Sequence, residues 1–83
     1  MDKTFPLSIY SLDREVFSDQ ANSVILPGSE GQFQILAHHI PFISLLKEGE
    51  MKIEKQDGSL QSLPIQGGVV EVTKGKVVAL VEF

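Results

Sequence analysis

Three groups of residues have types and spacings that could support chemistry: a glycine-rich loop, a histidine pair, and a serine close to a histidine. The loop reads Gly28-Ser29-Glu30-Gly31. A phosphate-binding loop needs lysine and serine or threonine after its glycines, followed by a helix whose N–H groups face the anion. Here Gln32 begins a strand-like pattern and Glu30 would repel phosphate. We therefore interpret this segment as a tight surface loop.

The adjacent histidines His38 and His39 could be metal ligands. Neighbouring residues of a strand point to opposite faces, so the two rings cannot chelate one ion on a regular backbone. A metal site also needs further ligands, and the acidic residues are scattered along the chain. We expect one exposed histidine and one packed at a loop, and we expect no metal or other cofactor.

Ser44 lies five residues after His39, which raises the question of a nucleophile and its base. A serine hydrolase also needs an acid that orients the base. No nucleophile-elbow pattern surrounds Ser44. Cysteine is absent, which excludes disulfides, thiolate zinc sites and thiol chemistry. We expect no catalytic residue in this chain.

Composition and charge narrow the class of protein. The chain has 83 residues, 42% of them hydrophobic and 22% charged, which is typical of one globular domain. The net charge is −4 and lysine and arginine are not clustered, so we expect no nucleic-acid partner and no direct hold on anionic lipid. The start at Met1 does not resemble a secretory signal, and no run approaches the roughly 20 apolar residues of a membrane span. Any membrane association should go through another protein.

The elements that must position these residues are strands. Short apolar runs, several with the alternation of a half-buried strand, recur between turn residues nearly throughout. A helix is possible only over 38–47, where Pro41 interrupts it. Many short strands with frequent turns favour an all-β sandwich or barrel. The expected strands are 4–10, 16–26, 33–36, 42–46, 51–55, 60–65, 69–73 and 77–83.

Two local signals refine this pattern. Asp57-Gly58 lies between two strand-like runs and favours a hairpin with a tight primed turn. Residues 19–22 are poor in strand formers, which predicts a bend or bulge inside the second run. Residues 26–31 combine proline with two glycines and are expected to form a loop.

Three segments resemble one known family, the epsilon subunit of rotary F-type ATP synthase. The first comprises residues 16–18 and 23–31, and the second comprises residues 33–49 with the His-x-Pro element His39-Ile40-Pro41. The third is 67–72, followed at the usual distance by 77–80. The order and spacing of the family's pattern hold from about Thr4 to Glu82, nearly the whole chain.

The resemblance implies a ten-stranded β-sandwich of two small sheets. It also implies a non-catalytic place in the central stalk, where the sandwich links the gamma subunit to the membrane rotor ring and couples proton flow to ATP synthesis. The localisation implied is peripheral, on the cytoplasmic face of the bacterial inner membrane. By the family's pattern, the contacts with gamma are Ser11, His39 and Ser44, and the contacts with the ring's c subunits are Ser29, Glu30, Gly31 and Gln32.

The chain departs from the family's pattern in two ways. Ala37-His38 replaces Pro-Gly ahead of His39, and Gln32 stands where an acidic residue is common. The family usually continues into two carboxy-terminal helices that can inhibit ATP hydrolysis and, in some members, bind ATP. No residue here matches them, so we expect residues 1–83 to be a single sandwich domain without that helical arm. The start at Met1 favours a naturally short subunit.

A second class of function remains open, a generic β-sandwich module with a groove for a small molecule or glycan. Such a module should expose aromatic side chains on one face. The chain has no tryptophan and one tyrosine, which disfavours this alternative.

Overall fold

A computed structural model describes residues 3–83 as strands joined by short turns, and the Met1 start lies outside the described residues. No helix occurs in the described range, so nothing there has the helical length or apolarity to cross a membrane. The strands are β1 (Phe5–Tyr10), β2 (Glu15–Gly28), β3 (Gly31–Leu36), β4 (Phe42–Leu46), β5 (Gly49–Lys55), β6 (Leu60–Ile65), β7 (Gly67–Thr73) and β8 (Lys76–Glu82).

The strands form two layers that share β2. In the first layer β4, β7, β8 and β1 lie side by side, and the early part of β2 pairs with β1. The later part of β2 lies between β3 and β5 in the second layer, and β6 completes that layer. This confirms the all-β sandwich. The described residues contain eight strands rather than ten, and β2 runs through both layers as one strand of 14 residues.

The core fills the space between the layers. On β1 the inward side chains are Phe5, Leu7 and Ile9, as their alternation with polar residues predicts. Met51 and Ile53 enter from the opposite layer, and both are fully buried. The described residues contain no buried side-chain nitrogen or oxygen without a hydrogen-bond partner.

Two irregularities lie near the places that the sequence predicts. The register between β2 and β5 shifts between Ala21 and Ser23, and the intervening Asn22 amide donates to the Lys55 carbonyl at 2.9 Å and to the Glu54 carboxylate at 3.1 Å. The predicted bulge is thus confirmed at Asn22, while β2 itself stays continuous. The predicted loop over 26–31 is shorter than expected, because β2 extends to Gly28 and the turn contains only Ser29 and Glu30.

The hairpin of β5 and β6 is confirmed, but its turn is wider than a two-residue primed turn. The Lys55 N–H donates to the Ser59 carbonyl at 2.8 Å, and only Gly58 of the turn has a positive φ, +90°. The Ser59 hydroxyl and N–H donate to the Asp57 carboxylate at 2.6 and 2.9 Å. These hydrogen bonds lower the pKa of Asp57 below its ordinary value, since they stabilise the charged form.

Charged side chains are distributed unequally between the two ends of the first layer. At the acidic end, where β1 and β8 finish, the turns carry Asp13, Glu30, Glu48 and Glu82 together with Arg14 and Lys47. At the basic end, where β1 and β8 begin, they carry Lys3, His38, His39, Lys74 and Lys76.

His38 has an unusual backbone conformation. Its φ is +66°, and it is the only residue other than glycine with a positive φ in the described range. A left-handed conformation costs an ordinary L-residue about 1–2 kcal/mol, whereas glycine adopts it freely. The histidine at position 38 therefore strains the turn between β3 and β4.

We expect His38→Gly to stabilise the fold by about 0.5–1 kcal/mol, because relief of the strain exceeds the added flexibility of glycine in the unfolded chain. Chemical denaturation of the purified chain measures this change. The matched control is Ala37→Gly at the preceding position, where φ is not positive and the side chain packs on the core. Ala37→Gly should destabilise, and a loss of stability in His38→Gly would show that the imidazole outweighs the strain.

Candidate interaction surfaces

The turn between β2 and β3 protrudes from the acidic end. Ser29, Glu30, Gly31 and Gln32 are all exposed, as expected for residues that meet another protein. Gly31 has a φ of +132° and open space around it, so the chain reverses direction here without steric conflict. The structure thus brings the four predicted contact residues together in one exposed turn.

This turn is firmly anchored to the first layer. The Ser29 N–H donates to the Leu45 carbonyl at 2.9 Å, and the Lys47 N–H donates to the Pro27 carbonyl at 2.9 Å. Gly28 lies so close to its partner strand that an added Cβ would be 2.6 Å from the Gly31 carbonyl oxygen and 2.8 Å from the Phe33 ring. A force on the turn would therefore be transmitted to β4 through these hydrogen bonds.

The other three predicted contact residues do not form one cluster. Ser11 follows β1 at the acidic end, His39 lies at the basic end, and Ser44 lies within β4. Because β8 and β7 separate β1 from β4, Ser11 and Ser44 are about 14 Å apart across the sheet. Ser44 is half-buried on the inner side of β4, and its hydroxyl donates to the Leu45 carbonyl at 3.2 Å.

His39 helps to hold the turn between β3 and β4. Its Nδ1 lies 3.2 Å from the Leu36 nitrogen and 3.1 Å from the Leu36 carbonyl oxygen, so it accepts in one tautomer and donates in the other. Its ring centroid is 5.5 Å from that of Phe42. His39 is half-buried and His38 is exposed, which agrees with the expected division between them. With Nδ1 engaged, Nε2 is the nitrogen that could reach a partner.

The sequence analysis considered a metal site at the two histidines and a nucleophile–base pair formed by Ser44 and His39, and the structure shows what their polar atoms contact. The Ser44 hydroxyl faces a backbone carbonyl, and His39 Nδ1 faces the Leu36 backbone. Within residues 3–83, no group of three or more histidine, aspartate or glutamate side chains could hold a metal ion.

An exposed apolar face, which the sequence analysis missed, covers the outside of the first layer. Leu45, Val69, Leu80 and Tyr10 lie directly opposite one another on β4, β7, β8 and β1, and so form one row across four strands. Leu45 is 64% exposed and Leu80 is 47% exposed. Leu12, 93% exposed, lies beside Val69 and Leu80 in a shallow depression. We call these five residues the apolar face.

A signal for this face is present in the sequence. An antiparallel sheet with one wet face reads as alternating apolar and polar residues. The runs 42–46 and 77–81 are instead apolar at nearly every position. Such runs indicate strands that are covered on both faces, and here only the inner face is covered within the described residues. The apolar face adjoins Ser11 at one edge and the anchored Ser29 turn at the other.

Comparisons with known proteins agree on one family. The family model described as the ATP synthase delta/epsilon chain beta-sandwich domain matches residues 4–83. The ATP synthase epsilon chain of Sulfurimonas denitrificans is 46% identical over 76 residues, which cover 92% of this chain and 58% of that protein. The ATP synthase epsilon chain of Chlorobium limicola is 40% identical over 81 residues, which cover 98% of this chain and 92% of that protein.

A solved structure has the same fold. A chain in the cryo-EM structure of Euglena gracilis mitochondrial ATP synthase, OSCP/F1/c-ring, superimposes with a TM-score of 0.90 at 20% identity. The match covers 98% of this chain and 52% of that one. This chain therefore spans about half to three fifths of the Euglena and Sulfurimonas proteins, but nearly the whole length of the Chlorobium protein.

Proposed function

Since this chain belongs to the ATP synthase delta/epsilon family of β-sandwich domains, we propose that it is the central-stalk subunit that joins gamma to the membrane rotor ring. Its task is to make the two rotor parts turn together, so that proton flow is coupled to ATP synthesis. The chain itself is non-catalytic. It is held at the membrane only through the complex, on the cytoplasmic face of the bacterial inner membrane.

One observation carries the proposal. The family match runs through residues 4–83, and a named epsilon chain of nearly the same length is 40% identical to this one. We further propose that the matched residues form a single sandwich domain. The generic ligand-binding module has no comparable observation in its favour.

The gamma contact is proposed to centre on the apolar face. Ser11 borders this face directly after Tyr10, and Ser44 precedes Leu45 in β4 with its side chain on the inner side of the strand. His39 would extend the contact to the basic end through its outward nitrogen. A contiguous apolar surface on so small a domain is typical of a protein interface, because burying it removes apolar area from water.

The ring contact is proposed to be the turn from Ser29 to Gln32, which can meet polar loops of the c subunits. The hydrogen bond from Ser29 to Leu45 joins this turn to the apolar face by a single step. The rotor ring and the gamma subunit would then bind adjacent parts of the same rigid sheet. A rigid connection is what rotor coupling requires, since a flexible one would absorb the rotation.

The test is to deplete the synthase of this subunit and add back purified chain. Wild-type chain should restore ATP-driven proton pumping in vesicles. Glu30→Lys should restore less than half of it while changing the melting temperature little, because a fully exposed turn residue contributes about 0.5 kcal/mol or less to stability.

Glu48→Lys is the matched control, since Glu48 is an exposed carboxylate at the same end but outside the turn. Equal losses in the two variants would assign the effect to the general charge of the acidic end. Pumping that stays coupled without any added chain would contradict the proposed function.

A further inference from the structure

The basic end contrasts with the rest of an acidic chain. Five basic side chains or imidazoles lie there, although the chain as a whole has a net charge of −4. One depression at this end is lined by His38, His39 and Lys74, and an adjoining one by both histidines and Lys76. Lys74 lies in the turn between β7 and β8, and Lys76 begins β8, where it pairs directly with Thr73.

Few acidic side chains lie near this end among residues 3–83. Among the described residues, no aspartate or glutamate lines either depression. The nearest described acids are Asp19, which pairs with Leu7 two positions from Phe5, and Glu71, which pairs with Val78 two positions from the Thr73–Lys76 pair. The acids of the opposite end are about 20 Å away, the length of a strand of six or seven residues. The basic end therefore presents a positive surface.

The strained conformation of His38 is a second, independent observation. Glycine would relieve that strain, yet the chain carries an exposed imidazole there, next to Lys74. A residue held in a costly backbone conformation persists where its side chain has a use. His38 makes no contribution to the core, so its use lies at the surface.

We propose that the basic end binds an acidic segment of the gamma subunit. This inference rests on the proposed function and adds the chemistry of the partner, which is rich in aspartate and glutamate where it meets Lys74, Lys76 and His38. Lys74 and Lys76 flank Gly75 at one turn and His38 lies in another turn, so the positive groups are spread over an open surface. A spread of donors suits a chain of carboxylates, whereas one phosphate is held by donors that converge on it.

The binding of purified chain to purified gamma tests the proposal by calorimetry at low and moderate salt. The double variant Lys74→Glu/Lys76→Glu should bind about tenfold more weakly or worse, because it places like charges together. Wild-type affinity should fall as salt rises, since exposed charge pairs are screened within about 10 Å at 0.1 M salt. His38→Gly should fold more stably and yet bind two- to fivefold more weakly, roughly 0.4–1 kcal/mol.

Lys52→Glu is the control, because Lys52 is exposed on β5 in the other layer and its reversal should leave the affinity unchanged. Unchanged affinity of the double variant, or an equal loss in the control, would overturn the inference while leaving the subunit assignment intact. If wild-type chain does not bind gamma at all, the proposed function itself is overturned.

A further experiment distinguishes binding of a protein partner from binding of a small anion. Sodium phosphate is titrated into isotope-labelled chain at constant ionic strength and followed by NMR. Saturable shifts confined to residues 38 and 74–76 would assign the basic end to phosphate and overturn the acidic-segment proposal. Small, unsaturated shifts are the expected result.

Discussion

Gly68→Ala is expected to destabilise the sandwich by roughly 3 kcal/mol or more, since backbone strain and steric overlap each cost about 1–3 kcal/mol. Gly68 has a φ of +155°, and an added Cβ would lie 2.4 Å from the Leu80 carbonyl oxygen and 3.0 Å from the Val81 Cα. All of these are backbone atoms, so no side chain can rotate away. For a domain of this size the melting temperature should fall by more than about 10 °C.

Thermal unfolding followed by far-ultraviolet circular dichroism measures this loss. Gly58→Ala is the control, because Gly58 has a φ of +90° but open space around its Cβ position. The control should lose only the strain energy, about 1 kcal/mol. If both variants lose equal stability, the steric contact between residue 68 and the backbone of β8 contributes nothing to the loss.

Leu80→Glu is expected to weaken binding to gamma by a hundredfold or more, while the isolated chain still folds. Leu80 lies in the central row of the apolar face, between Val69 and Tyr10. Central apolar residues of an interface commonly contribute about 2 kcal/mol or more, roughly thirtyfold, and a buried unpaired carboxylate adds a further penalty. Because Leu80 is 47% exposed in the free chain, its replacement removes little from the core.

Leu60→Glu is the matched control, since Leu60 is 79% exposed on β6 in the other layer. Calorimetry against purified gamma gives the affinities, and the melting temperatures show that both variants fold. Undiminished binding by Leu80→Glu would exclude the apolar face from the gamma contact. Ser11, His39 and Ser44 would then have to carry the contact alone.

The features of the fold that depend on residues close together in the chain could be predicted from the sequence. Strand alternation around Leu7 and the Asp57-Gly58 turn depend on neighbouring residues, so their patterns predicted the observed strands and hairpin. The bulge at Asn22 was also predicted, because residues with low strand propensity signal a local irregularity. A loop over 26–31 was predicted from its proline and two glycines, and the observed turn at Ser29 and Glu30 lies within that range.

The features that depend on contacts between distant residues could not be predicted from the sequence. The route of β2 through both layers depends on which strands are available on each side, and no local pattern encodes that. The apolar face was missed because outward residues such as Leu45 and Leu80 look like core residues in a run without alternation. The wide separation of Ser11 from Ser44 follows from strand order, which the residues themselves do not specify.

The pairing of β1 with β8 bears on how the chain acquires its fold during synthesis. This pairing is parallel and joins Leu7 to Val77, residues 70 positions apart, whereas β1 also pairs with nearby β2 as an antiparallel hairpin. On the ribosome the hairpin can close early, but one edge of β1 must wait until the segment up to Leu80 has emerged. Contacts between such distant residues form slowly, because the intervening chain must first be ordered. The sandwich is therefore completed by a late closure step, and until then the unpaired edge of β1 is open to other chains.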